Sequence, residues 1–196
     1  MLSLVIGAAA FALLILSDFL MLKGRKAAAY ICGFAGIFGI IGSTLLLFLF
    51  TDFNFILKNS LVPRLIAAVF ALVFLCLLVY TLLFALPAVQ TYFVRKKIQD
   101  LVDTGVYALS RHPGVLWLGF CYLFIWLATA NVLLLWACIV FTVMDIVHVA
   151  IQDIYVFPKT IDRYDEYKKY TPFLIPTWNS VRRAVLRKRE CSIGED

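Results

Sequence analysis

The chain is short of charge, of metal-binding residues and of polar stretches long enough to build a soluble domain. Asp, Glu, Lys and Arg make up only 15% of its 196 residues, against about 25% in soluble globular domains. Water is therefore not its main solvent. Histidine occurs twice, and the five cysteines, Cys32, Cys76, Cys121, Cys138 and Cys191, stand far apart with no Cys-x-x-Cys or Cys/His ligand spacing. This argues against a disulfide framework and against any metal site. Behind Cys191 come Ser192-Ile193-Gly194-Glu195-Asp196, which is no prenylation box. No positive charge precedes the first apolar run, so that run reads as an uncleaved span and not as a secretory signal.

Apolar residues are abundant instead, at 63% of the chain with a mean hydropathy of +0.94. A hydrocarbon core about 30 Å thick takes roughly 20 apolar residues per helix. The expected fold is an all-α integral membrane protein, one membrane domain of about five transmembrane helices at 2–22, 27–50, 65–86, 115–129 and 132–152, followed by a C-terminal region, 153–196. With the N-terminus outside, the inner segments hold sixteen Lys and Arg and the outer loop only Lys58 and Arg64, so the C-terminal region is expected to be cytoplasmic. The net charge of +6 sits beside the spans. It points to anionic membrane lipids as partners and away from nucleic acid.

Punctuation along the chain is specific. Gly33, Gly36, Gly39 and Gly42 recur every third residue in the second run, a packing surface for a helix of the same chain or of another copy. Pro63 is placed to start the third helix. Between Pro87 and Pro113, Phe93, Ile98, Leu101 and Val102 alternate with charged residues, the pattern of a short interfacial helix stopped at Thr104-Gly105. Ala130-Asn131 allows only a tight helical hairpin. Pro158, Pro172 and Pro176 are expected to break the C-terminal region into pieces, and residues 182–189 form a basic tail, read as a lipid-facing helix.

Ionisable groups at membrane depth are costly and call for a partner or a cavity. Asp18 lies one turn before Lys23-Gly24-Arg25-Lys26, so a loose ion pair with that cluster, or interfacial solvation, is the expectation. Asp145, His148 and Gln152 share one face of the fifth helix, with Asp153 beside them; a hydrogen-bonded seam and a cavity lining are equally open. Arg111 and His112 precede Pro113, so two basic side chains meet a helix N-terminus, an arrangement suited to an anion, with a charged interfacial anchor as the plainer reading. The aromatic run from Tyr155 to Trp178 reads either as an interfacial belt or as a cover over a ligand.

These pieces occur in a telling order. Gly105-Val106-Tyr107 and Arg111-His112-Pro113, then a helical hairpin, then Tyr164-Asp165-Glu166-Tyr167 and Pro172-Phe173-Leu174-Ile175-Pro176 together resemble the isoprenylcysteine carboxyl methyltransferase and phospholipid methyltransferase superfamily, small membrane enzymes that use S-adenosylmethionine. The match covers 104–176, less than half of the chain. Tyr164 follows Asp153 by eleven residues, the interval separating the family's tyrosine from its second glutamate, so Gln152 and Asp153 stand where the family has a glutamate pair. Thr160-Ile161 replaces a Phe-Gly, and Phe173 stands where an arginine is common.

The resemblance implies a cytoplasmic C-terminal cofactor-binding region in which Tyr107, Arg111, His112, Pro113, Gly114, Gln152, Asp153, Tyr164 and Tyr167 hold S-adenosylmethionine, with Arg111 and Asp153 as the catalytic residues. The residue types suit that donor: Arg111 its carboxylate, Asp153 its ammonium, Gln152 its hydroxyls, and Tyr107 or Tyr164 its sulfonium. Methyl transfer is an in-line displacement that positioning and dryness can catalyse. The acceptor would be a lipophilic or small molecule bearing a carboxyl, amine or thiol. A non-catalytic membrane protein of the same fold, acting as a lipid-binding or partner subunit, is the alternative.

Overall fold

The computed structural model describes residues 1–49, 61–85 and 101–193, and among them the regular structure is helical. In chain order the helices are α1 (Leu2–Leu22), α2 (Lys26–Leu49), α3 (Leu61–Tyr80), α4 (Val106–Leu109), α5 (Pro113–Thr129), α6 (Val132–Ile151), α7 (Phe157–Thr160), α8 (Tyr164–Tyr170) and α9 (Trp178–Ile193). Two π-helical turns, Thr81–Ala85 and Gln152–Val156, extend α3 and α6. Among the described residues four helical stretches are long and apolar enough to cross a membrane, Leu2–Leu22, Lys26–Leu49, Leu61–Phe84 and Val132–Thr160. The architecture is that of a multi-pass helical membrane protein. Most of the loop at 51–64 lies outside the described residues, as does the interfacial helix expected before Thr104-Gly105 up to residue 100, while Leu101 and Val102, which that pattern included, are not helical.

Local sequence explains the helix boundaries. Gly24, with φ +74°, turns the chain between α1 and α2. Pro63 lies in the first turn of α3 and Pro113 opens α5, where a missing N–H costs nothing. At the hairpin between α5 and α6, Ala130 takes a left-handed φ of 54° and Asn131 caps α6, its side chain accepting from Leu133 N at 2.8 Å.

Pro158 does not break the chain as expected, because the helix begun at Val132 runs on to Thr160. Proline removes a backbone donor and crowds the carbonyl one turn earlier. The wider turn at Gln152–Val156 lies directly ahead of it and makes room for the ring.

The described residues divide into two compact units, one of Met1–Leu75 with Leu118–Val156, the other of Cys76–Trp117 with Phe157–Asp196. In the first, Phe11, Leu47, Tyr122, Leu134, Ala137 and Phe141 form a buried core drawn from α1, α2, α5 and α6. Phe70 and Phe74 of α3 stack on Phe120 and Phe124 of α5 with ring centroids 5.0–5.5 Å apart. Gly36 lies against α1 so closely that a Cβ there would stand 2.7 Å from Leu14 Cδ2 and 2.9 Å from the Ala10 carbonyl oxygen. Gly33 and Gly39 also face α1, at Ser17 and Ala10, whereas a Cβ on Gly42 would meet nothing within 4 Å. The neighbour of this glycine surface is thus α1 of the same chain.

In the second unit, Thr81 ties three segments together. Its hydroxyl accepts from Trp117 Nε1 at 3.1 Å and its carbonyl accepts from the Tyr107 hydroxyl at 3.3 Å.

Candidate functional site

The first unit contains a polar knot within its apolar helices. Asp18 of α1 accepts, through the single oxygen Oδ2, hydrogen bonds from His148 Nε2 at 3.0 Å and Gln152 Nε2 at 2.9 Å. The expected pairing of Asp18 with Lys23-Gly24-Arg25-Lys26 is replaced by this cross-helix contact. Hydrocarbon offers a carboxylate no water, so a fixed pair of donors 130 and 134 residues away outweighs a flexible surface ion pair. His148 and Gln152 therefore form a hydrogen-bonded seam with α1, and Asp145 lies one turn before His148 on the same helix. Asp153 is 6% exposed.

The Arg-His-Pro turn and its surroundings fall in the second unit. Arg111 N donates to Pro172 O at 3.0 Å and His112 N to Phe173 O at 3.2 Å, while Ser110 Oγ donates to Phe173 O at 3.1 Å. These bonds join the turn to the closing segment between Pro172 and Pro176, some sixty residues later. They also occupy the backbone amides of both Arg111 and His112. His112 is 6% exposed, stacked on Phe157 at 5.8 Å and edge-on to Phe173 at 5.1 Å. The Arg111 guanidinium lies over the Phe173 ring, 5.8 Å from its centre.

A ladder of aromatic rings backs this turn. Phe157, Tyr164, Tyr167 and Tyr170 contact one another in sequence with centroids 5.3–5.8 Å apart. Tyr164 and Tyr167 are buried, and the Tyr167 hydroxyl donates to the Tyr107 carbonyl. Burial, with Tyr107 close by, pushes the Tyr167 phenol above its usual range, while Arg111 pulls the other way and Asp103 and Tyr170 add to the rise. Tyr170 donates to Asp103 Oδ2 at 3.2 Å, and Arg183 lies 5.1 Å over its ring. Among the expected site residues, Tyr107, Arg111, His112, Pro113, Gly114, Tyr164 and Tyr167 thus belong to one unit and Gln152 and Asp153 to the other. No protein-family model, curated protein or solved structure matches the chain.

The sequence did not single out Asp103 or Ser180 as positioning groups. Ser180, fully buried, donates to Leu109 O at 2.9 Å, which fixes α9 beside α4. Its only sequence signal is Thr177 three residues ahead, and the two do cap each other, Thr177 N to Ser180 Oγ at 3.0 Å and Ser180 N to Thr177 Oγ1 at 3.3 Å. Asp103 carried no signal beyond being an acid beside a glycine turn. No group of three or more potential metal ligands occurs among the described residues.

Proposed function

We propose that the chain is a membrane methyltransferase that transfers the methyl group of S-adenosylmethionine to a lipophilic or small acceptor. One observation supports the reading above all: segments that carry the family resemblance from distant parts of the sequence interlock. The Gly-x-Tyr and Arg-His-Pro turn is bonded to the Pro-x-x-x-Pro segment through Arg111, His112 and Ser110, and to the Tyr-x-x-Tyr helix through Tyr167 and Tyr107. In this reading Arg111 engages the donor's carboxylate, and the aromatic ladder keeps the turn rigid and dry, so that the enzyme contributes orientation and exclusion of water. The shorter apolar helix Pro113–Thr129 is a fifth span, and the C-terminal region faces the cytoplasm, where the donor is soluble.

A second reading, a non-catalytic membrane protein of the same fold, is favoured by Gln152. Its amide is committed to Asp18, and a neutral side chain cannot replace a glutamate in pairing with a cation. Titration of the detergent-purified chain with S-adenosylhomocysteine separates the two. The enzyme reading expects saturable binding that weakens roughly tenfold or more in Arg111→Ala, the loss of one charge-assisted contact. Absence of saturation at millimolar ligand, or affinity indifferent to that substitution, leaves the second reading.

A further inference from the structure

Helix α9 turns the wrong kind of face outward for a helix in water. Its inward side is fixed by Ser180, and by Arg183 lying over Tyr170. Facing away are Trp178, Arg182, Val185 and Leu186, at the i, i+4, i+7 and i+8 positions of one stripe, all exposed. Trp178 is 81% exposed, Val185 50% and Leu186 46%, and Ile175, just ahead of the helix, is 75% exposed. The segment is not one of the apolar helices long enough to cross a membrane. Between Trp178 and Ile193 it holds five basic residues, Arg182, Arg183, Arg187, Lys188 and Arg189, against Glu190 alone.

Tryptophan and aliphatic side chains on the same exposed stripe as arginine match one environment, the boundary between headgroups and acyl chains. There the rings and branched chains leave water while the guanidinium meets phosphate. We propose that the outward face of α9 is a docking surface for an anionic lipid bilayer, with Trp178, Val185 and Leu186 entering the interface and Arg182 held at the headgroups. Charge complementarity selects this occupant, because the excess of basic residues repels a second copy of the same helix and attracts phosphatidylglycerol-like or phosphatidylserine-like headgroups. Through the Ser180 bond to Leu109 O, docking also steadies the residue two before Arg111. The inference stands independently of the methyl-transfer reading.

The test uses the full chain in nanodiscs of phosphatidylcholine, alone or mixed with phosphatidylglycerol, one copy per disc. Hydrogen exchange of residues 178–186 is expected to slow at least about fivefold in the anionic discs, the factor contributed by one basic side chain near such a surface, and to return toward the neutral-disc rate in Arg182→Glu. Fluorescence lost on Trp178→Phe should be quenched by brominated acyl chains. Both positions are exposed, so neither substitution threatens folding, and unchanged exchange in α6 checks this. Equal exchange in the two kinds of disc, a Trp178 signal untouched by brominated lipid, or protection that appears only with two copies per disc would each overturn the proposal, the last in favour of self-association.

Discussion

The Asp18 carboxylate takes both of its described donors, His148 and Gln152, on one oxygen, so the three side chains act as a unit. Removing one member leaves the others short of a partner where water is scarce. Asp18→Ala and His148→Ala are each expected to lower stability by about 1–3 kcal/mol, and the double variant to lose less than the sum, a coupling measurable by unfolding titration in detergent micelles. Additive losses would mean that the contact contributes nothing. Asp18→Asn retains an acceptor and should be milder than Asp18→Ala. At Tyr167 the expectation concerns pH. Its phenol is held above its ordinary value of about 10 by burial, so the folded state binds the proton more tightly than the unfolded chain. The stabilisation is complete below that ordinary value and fades as pH rises beyond it. Tyrosinate absorbance of the native protein should therefore show phenol that resists ionisation until the protein unfolds, and the resistant amount should fall by one equivalent in Tyr167→Phe.

Among the elements, the pairing of α1 with α2 depends on close approach. Gly36→Ala would push a methyl group against Leu14 and the Ala10 carbonyl. Because one of these is backbone, the strain cannot be relieved by a rotamer change alone, and a loss of about 1–3 kcal/mol is expected. Gly42→Ala meets open space and should be neutral or stabilising by up to about 1 kcal/mol through helix propensity. Thermal unfolding of the two variants side by side checks this contrast, and equal losses would rule out the packing explanation. The two π-helical turns were not readable from the residues. Each extends an apolar helix that periodicity describes well, one at Thr81, where side-chain donors enter, and one ahead of Pro158. Such turns answer to neighbours and to backbone crowding, neither of which alters the hydropathy pattern.

For the whole molecule, the sixteen-to-two division of Lys and Arg carries the proposed orientation. In a variant lacking native cysteines, Lys58→Cys should react with an impermeant thiol reagent from outside and Lys169→Cys only from the cytoplasmic side. The reverse pattern would invert the topology and put the basic tail, with its proposed lipid surface, on the outer face.

The sequence by itself determined that the chain is helical and apolar enough for lipid, that the four long apolar helices begin within a few residues of Leu2, Lys26, Leu61 and Val132, and that Pro113, Asn131 and Gly24 mark helix boundaries, but not that the last of the four runs past Pro158 to Thr160. Those properties are local, since hydropathy, capping and φ preferences act within a turn or two of the chain. Only the tertiary structure decided that Asp18 meets His148 and Gln152, that the glycine surface of α2 is filled by α1, and that Arg111 and His112 are bonded to Pro172 and Phe173. A hydrogen-bond partner dozens of residues away, or the helix that a small side chain admits, depends on how the elements pack. Packing is set by the combined shape of many side chains, which no short stretch of sequence contains.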